Sequence, residues 1–158
     1  MSTPSTAAPQ LFCTFFLGAK RFGIRVLEVR EINRETTLTP VPHAPSEVRG
    51  CANLRGQVHV VLDIAKLLGL DGTALGPDSR LVILKPTVAE ACGILVESIG
   101  DIVELDADAV EPWRPEQHGA QPGGDLIAGI GKLDDGLLVI LNASRLLPAV
   151  DRTLARGG

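Results

Sequence analysis

Residues 50–64, GCANLRGQVHVVLDI, carry the most informative pattern in the sequence. Two runs of strand-like composition lie on either side of Arg55 and Gly56, and the second run is almost entirely apolar. Extended runs that flank a short glycine-containing turn predict a β-hairpin. Asp63 follows the second run and is a residue type that caps helices at their N-terminus. The segment therefore predicts two paired strands that lead into a short helix.

Arg55 needs either solvent or a partner, because burying an unpaired guanidinium is very costly in free energy. Residues 11–32, LFCTFFLGAKRFGIRVLEVREI, predict a first hairpin around the turn-like GAKR. Glu31 lies in its apolar context VLEVREI and is a candidate partner. One hypothesis is a partly buried ion pair between Glu31 and Arg55 that fixes the junction between hairpins. The alternative is an ordinary surface arginine at a turn, and the residues alone favour neither.

Short extended runs recur along the rest of the chain, separated by clusters of Gly, Pro and Asp. This spacing is typical of an all-β barrel or sandwich with a few short helices. Two helices are predicted: one after Asp63 that ends at Gly69, and one after Asn142 that Pro148 interrupts. The parts before and after residues 69–79 have similar texture and about five strands each, which predicts two small barrels packed closely together.

The length of 158 residues suits one domain with a sizeable core. Residues 1–10 have the composition of a disordered tail and residues 151–158 that of a frayed end, which leaves residues 11–150 as the domain. A net charge of -4 without a basic stripe argues against a nucleic-acid partner. Since we find neither a secretory signal nor an apolar run of membrane-spanning length, we predict a cytoplasmic protein that does not insert into the membrane.

The sequence contains no motif that points to catalysis or to a cofactor. Cys13, Cys51 and Cys92 are far apart and lie in apolar surroundings, which favours reduced core thiols over a metal site. We therefore predict no metal, no cofactor and no enzymatic activity, and we favour a protein that presents a surface to other proteins. Two other classes stay open: a nucleic-acid-binding β-barrel of the OB or Sm type, and a small enzyme whose site is assembled in space.

Successive blocks of the sequence resemble the CheW family of bacterial chemotaxis coupling proteins, in order, from about Leu11 to Leu147. The blocks are FFLGAKRFGIRVLEVREI, VPHAPSEVRGCANLRGQVHVVLDIAKLLGL, RLVILKP, GILVESIGDIVEL and GIGKLDDGLLVILNASRLL. The most specific part is NLRG together with VVLDI. The resemblance implies two intertwined five-stranded SH3-like β-barrels. It also implies a non-enzymatic adaptor that couples methyl-accepting chemoreceptors to the histidine kinase CheA.

The resemblance further implies partners and docking residues. The cytoplasmic tip of a chemoreceptor is expected in the groove between the barrels, so that the protein is recruited to membrane receptor arrays. The CheW-like regulatory domain of CheA, and other CheW copies in rings, are expected at the barrel edges. The residues that match docking positions of the family are Val26, Val29, Glu31, Ile32, Arg55, Gly56, Leu81, Gly93 and Ile99.

Several of these residues have a simpler interpretation. Val26, Val29, Leu81 and Ile99 could be core residues, and Gly56 and Gly93 could be turn glycines with positive φ. The sequence also departs from the family pattern, because His59 is unusual and Val60 replaces a proline. These departures keep a second pathway open, a divergent chemosensory system that governs pilus motility or gene expression.

Overall fold

The computed structural model describes residues 9–34, 36–114 and 123–150. The strands are β1 (Gln10–Leu17), β2 (Lys20–Arg25), β3 (Val29–Asn33), β4 (Val48–Leu54), β5 (Gln57–Leu62), β6 (Arg80–Leu84), β7 (Cys92–Val96), β8 (Ser98–Leu105), β9 (Val110–Pro112), β10 (Ile127–Leu133) and β11 (Gly136–Leu141). The short helices are α1 (Ile64–Leu67), four 3-10 turns, Val26–Glu28, Ala107–Ala109, Gly124–Leu126 and Ala143–Arg145, and a helical segment at residues 146–150. The predicted class, all-β with a few short helices, is confirmed.

The predicted tails fall almost wholly outside the described residues, namely at 1–8 and 151–158. Gln10, which the composition placed in the N-terminal tail, is the first residue of β1. No helix in the described ranges is both long enough and apolar enough to cross a bilayer.

The strands form two sheets, and each sheet takes strands from both parts of the chain. One has six strands in the order β8-β1-β2-β11-β10-β9, and the other has five in the order β3-β6-β7-β5-β4. The β2–β11 and β5–β7 pairs are parallel, and the other pairs are antiparallel. The intertwined arrangement is therefore confirmed. The expectation that each part before and after residues 69–79 builds its own barrel is wrong.

The pairing register of the two sheets shows that the chain contains two structural repeats. Phe22 of β2 pairs with Val139 of β11, and Cys92 of β7 pairs with Val60 of β5. Strands β5 and β11 also have the same sequence of exposed and buried positions. By this alignment β1, β2, β8, β10 and β11 correspond to β6, β7, β3, β4 and β5. The two repeats have exchanged their first hairpins, so neither can complete a barrel alone.

The repeat extends to the edge strands β3 and β8. Val29 of β3 and Ile99 of β8 each pair with the neighbouring strand just before the register shifts. After that shift, Ile32 pairs within one sheet as Ile102 pairs within the other. The segment VLEVREI at 26–32 therefore corresponds to VESIGDI at 96–102, which makes Val29 and Ile99 equivalent residues.

Apolar side chains form three clusters that follow this arrangement. One fills the five-stranded barrel and consists of Ala52, Leu54, Val61, Leu81, Ile83 and Leu95. A second lines the six-stranded sheet and consists of Phe12, Leu105, Leu138 and Ile140. The largest lies between the sheets and includes Phe15, Phe22, Ile24, Leu62, Ile64, Ile94 and Leu146. Because this shared cluster draws on both sheets, burial of its apolar surface stabilises the barrels as one unit.

The hydrogen-bonded strand order leaves each sheet open, and a short segment covers one edge in each case. Thr39 exchanges backbone hydrogen bonds of 2.8 Å with Cys51 of β4. Strand β9 takes the corresponding place beside β10. The run TLTPVP, residues 37–42, is one of the short extended runs of the sequence, but in the structure it forms a single bridge instead of a strand. The six-stranded sheet has one short strand more than the five expected.

The two predicted helices form, with differences at their ends. Gly69, with φ 75°, follows α1 in the left-handed conformation that favours glycine, as predicted. Asp63 precedes α1, but its side chain makes no capping hydrogen bond. The expected interruption at Pro148 is wrong, because residues 146–150 are helical. Pro148 lies in the first turn of that segment, where a backbone N–H has no helical partner to lose.

All three cysteines are free thiols, but they differ in burial. Burial raises the pKa of the Cys92 thiol to about 12 and also raises the pKa of Cys13. Since the thiolate is the reactive form, we expect a chromogenic disulfide reagent at mildly alkaline pH to modify half-buried Cys51 first. Cys13 and Cys92 should react only as the protein unfolds. Rapid modification in a Cys51→Ser variant would contradict this expectation.

Candidate functional site

Arg55 lies at the tip of the β4–β5 hairpin, in a two-residue turn. Its φ is 55° and that of Gly56 is 83°, the pair of positive values found in the tight turns that join twisted strands. Arg55 Nη1 lies 2.9 Å from Oε2 of Glu31 on β3, and Nη2 donates a hydrogen bond of 3.2 Å to Oε1. The guanidinium therefore binds both carboxylate oxygens.

This ion pair joins the two edges of the five-stranded sheet, because β3 is one edge and β4 is the other. It is buried on one side only: the Arg55 side chain is 69% exposed and that of Glu31 is 21% exposed. Asn33 Nδ2 also donates to Glu31 Oε1 at 3.3 Å. The contact therefore spans the open side of the barrel, and leaves most of the guanidinium accessible to a partner.

We expect Arg55→Ala to lower the free energy of unfolding by less than about 1 kcal/mol, because an exposed ion pair contributes little in water. Chemical denaturation of Arg55→Ala, Glu31→Gln and the double variant would measure the coupling between the two side chains. A loss of several kcal/mol in Arg55→Ala would contradict this account and make the pair a major structural element.

Exposed aliphatic side chains lie along the equivalent segments 26–32 and 96–102, where the chain passes from one barrel to the other. Half-buried Val29 and Ile99 pack against the cluster between the sheets, and Val26, three residues before Val29, is also half-buried. Ile32 is 40% exposed. Sequence reasoning missed Leu27 and Ile102, which are 75% and 58% exposed. We use the term junction surface for five residues of these two segments: Leu27, Val29, Ile32, Ile99 and Ile102.

The structure places two of the expected docking residues in the interior. Leu81 is fully buried in the five-stranded barrel, and Gly93 is buried on β7 beside it. A Cβ on Gly93 would come within 2.8 Å of Cδ1 of Ile83, so this position keeps space for the core. Direct contact of Leu81 or Gly93 with a partner is excluded in this conformation. The alternative interpretation, a core role, holds for Leu81.

Asp63 lies at the other end of the segment 50–64 and fastens a loop. Its carboxylate is 1% exposed and accepts hydrogen bonds from the Thr73 backbone N–H at 3.0 Å and the Thr73 hydroxyl at 2.8 Å. Arg49 Nη1 lies 2.8 Å from Oδ2 of Asp63 and also donates to the Thr73 carbonyl at 2.7 Å. Arg55 and Asp63 thus bracket strand β5, one joining the barrel edges and the other holding the connection to β6.

Within the part of the chain that the structure describes, His, Cys, Asp and Glu side chains form no group of three that could hold a metal ion. The features that stand out on the surface are instead apolar side chains beside a largely exposed guanidinium. The buried core of a protein interface is more apolar than the rest of the surface, and interfaces are enriched in arginine.

An intertwined double barrel with such a surface defines a protein-interaction module of the SH3-like class. The sequence profile of the CheW-like domain matches residues 11–151, nearly the whole chain. The protein therefore belongs to the CheW family.

Individual relatives agree with this assignment. The chain is 26% identical over 145 residues to "Chemotaxis protein CheW" of Klebsiella aerogenes, covering 92% of this chain and 86% of that protein. It is 29% identical over 150 residues to "Protein FrzA" of Myxococcus xanthus, covering 93% and 91%. The crystal structure of the scaffolding protein TtCheW from Thermoanaerobacter tengcongensis superposes with a TM-score of 0.78 at 25% identity, covering 88% of this chain and 92% of that one.

Proposed function

We propose that this protein is an adaptor that couples methyl-accepting chemoreceptors to the histidine kinase CheA and has no catalytic activity of its own. Membership of the CheW family supports the proposal, as does the likeness to a scaffolding protein. The observation that carries it furthest is the junction surface, since its exposed aliphatic side chains come from equivalent segments of the two barrels.

The junction surface is the proposed docking site for the receptor tip. A helical hairpin offers an apolar face with side chains at regular spacing, which suits a surface that carries exposed aliphatic residues. Val26, Val29, Ile32 and Ile99 would supply apolar contacts, together with Leu27 and Ile102. Glu31 and Arg55 would supply polar contacts that fix the register of the helices, with Gly56 setting the hairpin tip. Contact with receptors would recruit the protein to membrane arrays from the cytoplasm.

The barrel edges are the proposed surfaces for the regulatory domain of CheA and for other copies of the adaptor in rings. Next to the tips of the β4–β5 and β10–β11 hairpins, Val58 and Leu137 lie on inner strands of their sheets in equivalent positions, and they are 59% and 62% exposed. An exposed aliphatic residue at the same place in both barrels suits a partner that itself consists of CheW-like barrels. Receptor and kinase would then occupy different surfaces of one rigid module, and coupling would follow from their shared binding to it.

A divergent chemosensory pathway is the second candidate, because FrzA is among the relatives. Val60, which replaces the family's proline, donates its backbone N–H to the Ala91 carbonyl at 2.9 Å. The backbone N–H that a proline would lack therefore makes a hydrogen bond within the fold. It leaves the proposed docking surfaces unaltered, so both pathways predict the same mechanism and differ in their output.

A reconstituted kinase assay tests the proposed function. Receptor-containing membranes and CheA, with and without the full-length protein, would be compared for the rate of kinase autophosphorylation. The proposal predicts that control of the kinase by receptors requires the protein, and that the protein alone has no activity. Equal receptor control in its absence would refute the proposal. Tight binding of single-stranded DNA or RNA at low salt would support the nucleic-acid alternative instead.

A further inference from the structure

A cavity of about 350 Å³ lies at one end of the six-stranded sheet. Its lining comes from the start of β1 and β10, the ends of β2, β8 and β11, strand β9, and the 3-10 turns that begin at Val26 and Ala107. Phe12, Leu105 and Ile140, from the apolar cluster of this sheet, supply much of that lining. Pockets for small molecules have this size and an apolar lining with a few polar groups that orient the ligand.

Two charged side chains lie in the same lining. Among the described residues that line the cavity, Arg25 and Glu28 are the only charged ones, and Gln10 and Asn142 are the neutral polar ones. Arg25 pairs with Phe12 across β1 and β2, so its side chain lies on the face of the sheet that carries the apolar lining. The Arg25 side chain is 49% exposed, whereas that of Glu28 is only 10% exposed.

The carboxylate of Glu28 makes few hydrogen bonds for a group that is nine-tenths buried. Arg25 Nη2 lies 3.4 Å from its Oε2, farther than the about 2.7–2.9 Å of a strong charge-assisted hydrogen bond. Its Oε1 accepts no hydrogen bond from the residues that the structure describes. Buried Asp63, by comparison, accepts hydrogen bonds of 2.8 to 3.2 Å from Arg49 and from two donors of Thr73. A buried carboxylate with spare acceptor capacity is stabilised by further donors, and the cavity has room for them.

The other repeat shows that the same end of a barrel is elsewhere filled by apolar packing. By the alignment of the repeats, Arg25 of β2 corresponds to Leu95 of β7. Its partner across the strands, Phe12, corresponds in the same way to Leu81. Leu81 and Leu95 are both fully buried in the five-stranded barrel. The fold therefore does not require a charge at this position, and the charged pair is a feature of the six-stranded barrel.

We propose that this cavity binds a small zwitterion with an apolar side chain, of the chemical class of the aliphatic α-amino acids. Its ammonium group donates hydrogen bonds to Glu28, its carboxylate binds the half-exposed guanidinium of Arg25, and its side chain packs on the apolar lining. A zwitterion suits the site because a ligand with a single charge would be repelled by one of the two charged side chains. The inference goes beyond the proposed function, since it requires neither a receptor nor a kinase.

Titration of the full-length, ¹⁵N-labelled protein with L-leucine, followed by amide chemical shifts, tests the proposal. We expect saturable shifts at residues 10–12, 25–28, 105–110 and 140–142. Two matched probes each lack one charge: leucinamide has no carboxylate, and isocaproate has no ammonium group. Each should bind at least about tenfold more weakly than leucine. The absence of saturable shifts with leucine, or equal binding of either probe, would overturn the proposal.

Substitutions in the lining test the two polar contacts. Glu28→Gln and Arg25→Gln each remove one charge, and each should weaken leucine binding by about tenfold or more. Arg30→Gln is the matched control, because Arg30 is 41% exposed on β3 and does not line the cavity. Circular dichroism would confirm that the variants fold, and half-exposed Arg25 decides the outcome if Glu28→Gln is unstable. Unchanged affinity in the folded cavity variants, or an equal loss in Arg30→Gln, would overturn the proposed contacts.

Discussion

Replacing Asp63 with alanine is expected to lower the free energy of unfolding by about 3 kcal/mol or more, because it leaves buried hydrogen-bond donors without an acceptor. The carboxylate of Asp63 is 1% exposed and binds Thr73 through the backbone N–H and the hydroxyl. Arg49 would also lose its carboxylate partner. Urea denaturation followed by circular dichroism would measure the loss.

The comparison needs a conservative variant and a neighbouring control. Asp63→Asn keeps one oxygen acceptor and the shape of the side chain, so it should lose less stability than Asp63→Ala. Asp71→Ala removes an exposed carboxylate from the same loop and should change stability by no more than about 0.5 kcal/mol. A similar small effect of Asp63→Ala would mean that the loop is held by other contacts.

Placing a charge on the junction surface is expected to weaken receptor binding by at least about tenfold, because a carboxylate would be buried against an apolar helix face without a partner. Ile32→Glu and Ile102→Glu test the two equivalent strands separately. Both residues are exposed, at 40% and 58%, so neither change should disturb the fold. Binding of receptor-tip fragments to immobilised protein would measure the effect.

Leu75→Glu is the matched control for this prediction. Leu75 is 51% exposed and lies in the loop between α1 and β6, outside the junction surface. It should bind receptor fragments like the unmodified protein. Unchanged binding in both Ile32→Glu and Ile102→Glu would place the receptor elsewhere, while a loss in all three variants would indicate a non-specific effect of charge.

Local chemistry could be predicted well from the sequence, since it depends on residues close together in the chain. The hairpin around Arg55 and Gly56, the start of α1 after Asp63 and its end at Gly69 all follow from turn and capping preferences. Glu31 could be named as a partner of Arg55 because few acidic residues lie in an apolar context near the first hairpin. The ion pair seen in the structure is more exposed than that hypothesis supposed.

Long-range pairing could not be predicted from the residues, because strand composition does not show which hairpin joins which sheet. Exchange of the β1–β2 and β6–β7 hairpins places both in sheets with strands of the other repeat. Only the family resemblance therefore predicted the intertwined arrangement, while the residues alone predicted one barrel for each half. For the same reason the sequence could not show that Leu81 faces the interior of a barrel. The equivalence of VLEVREI and VESIGDI, and with it the role of Ile102, becomes visible only from the strand register.

The central claim is that one rigid module binds a receptor and a kinase on different surfaces. The most direct test is co-sedimentation of the full-length protein with membranes that carry receptor tips, with and without the regulatory domain of the kinase. The account predicts that all three components sediment together. It also predicts that Ile32→Glu removes both the adaptor and the regulatory domain of the kinase from the pellet. The account would be contradicted if the receptor and the regulatory domain of the kinase bound in a mutually exclusive manner, or if a well-folded protein bound neither.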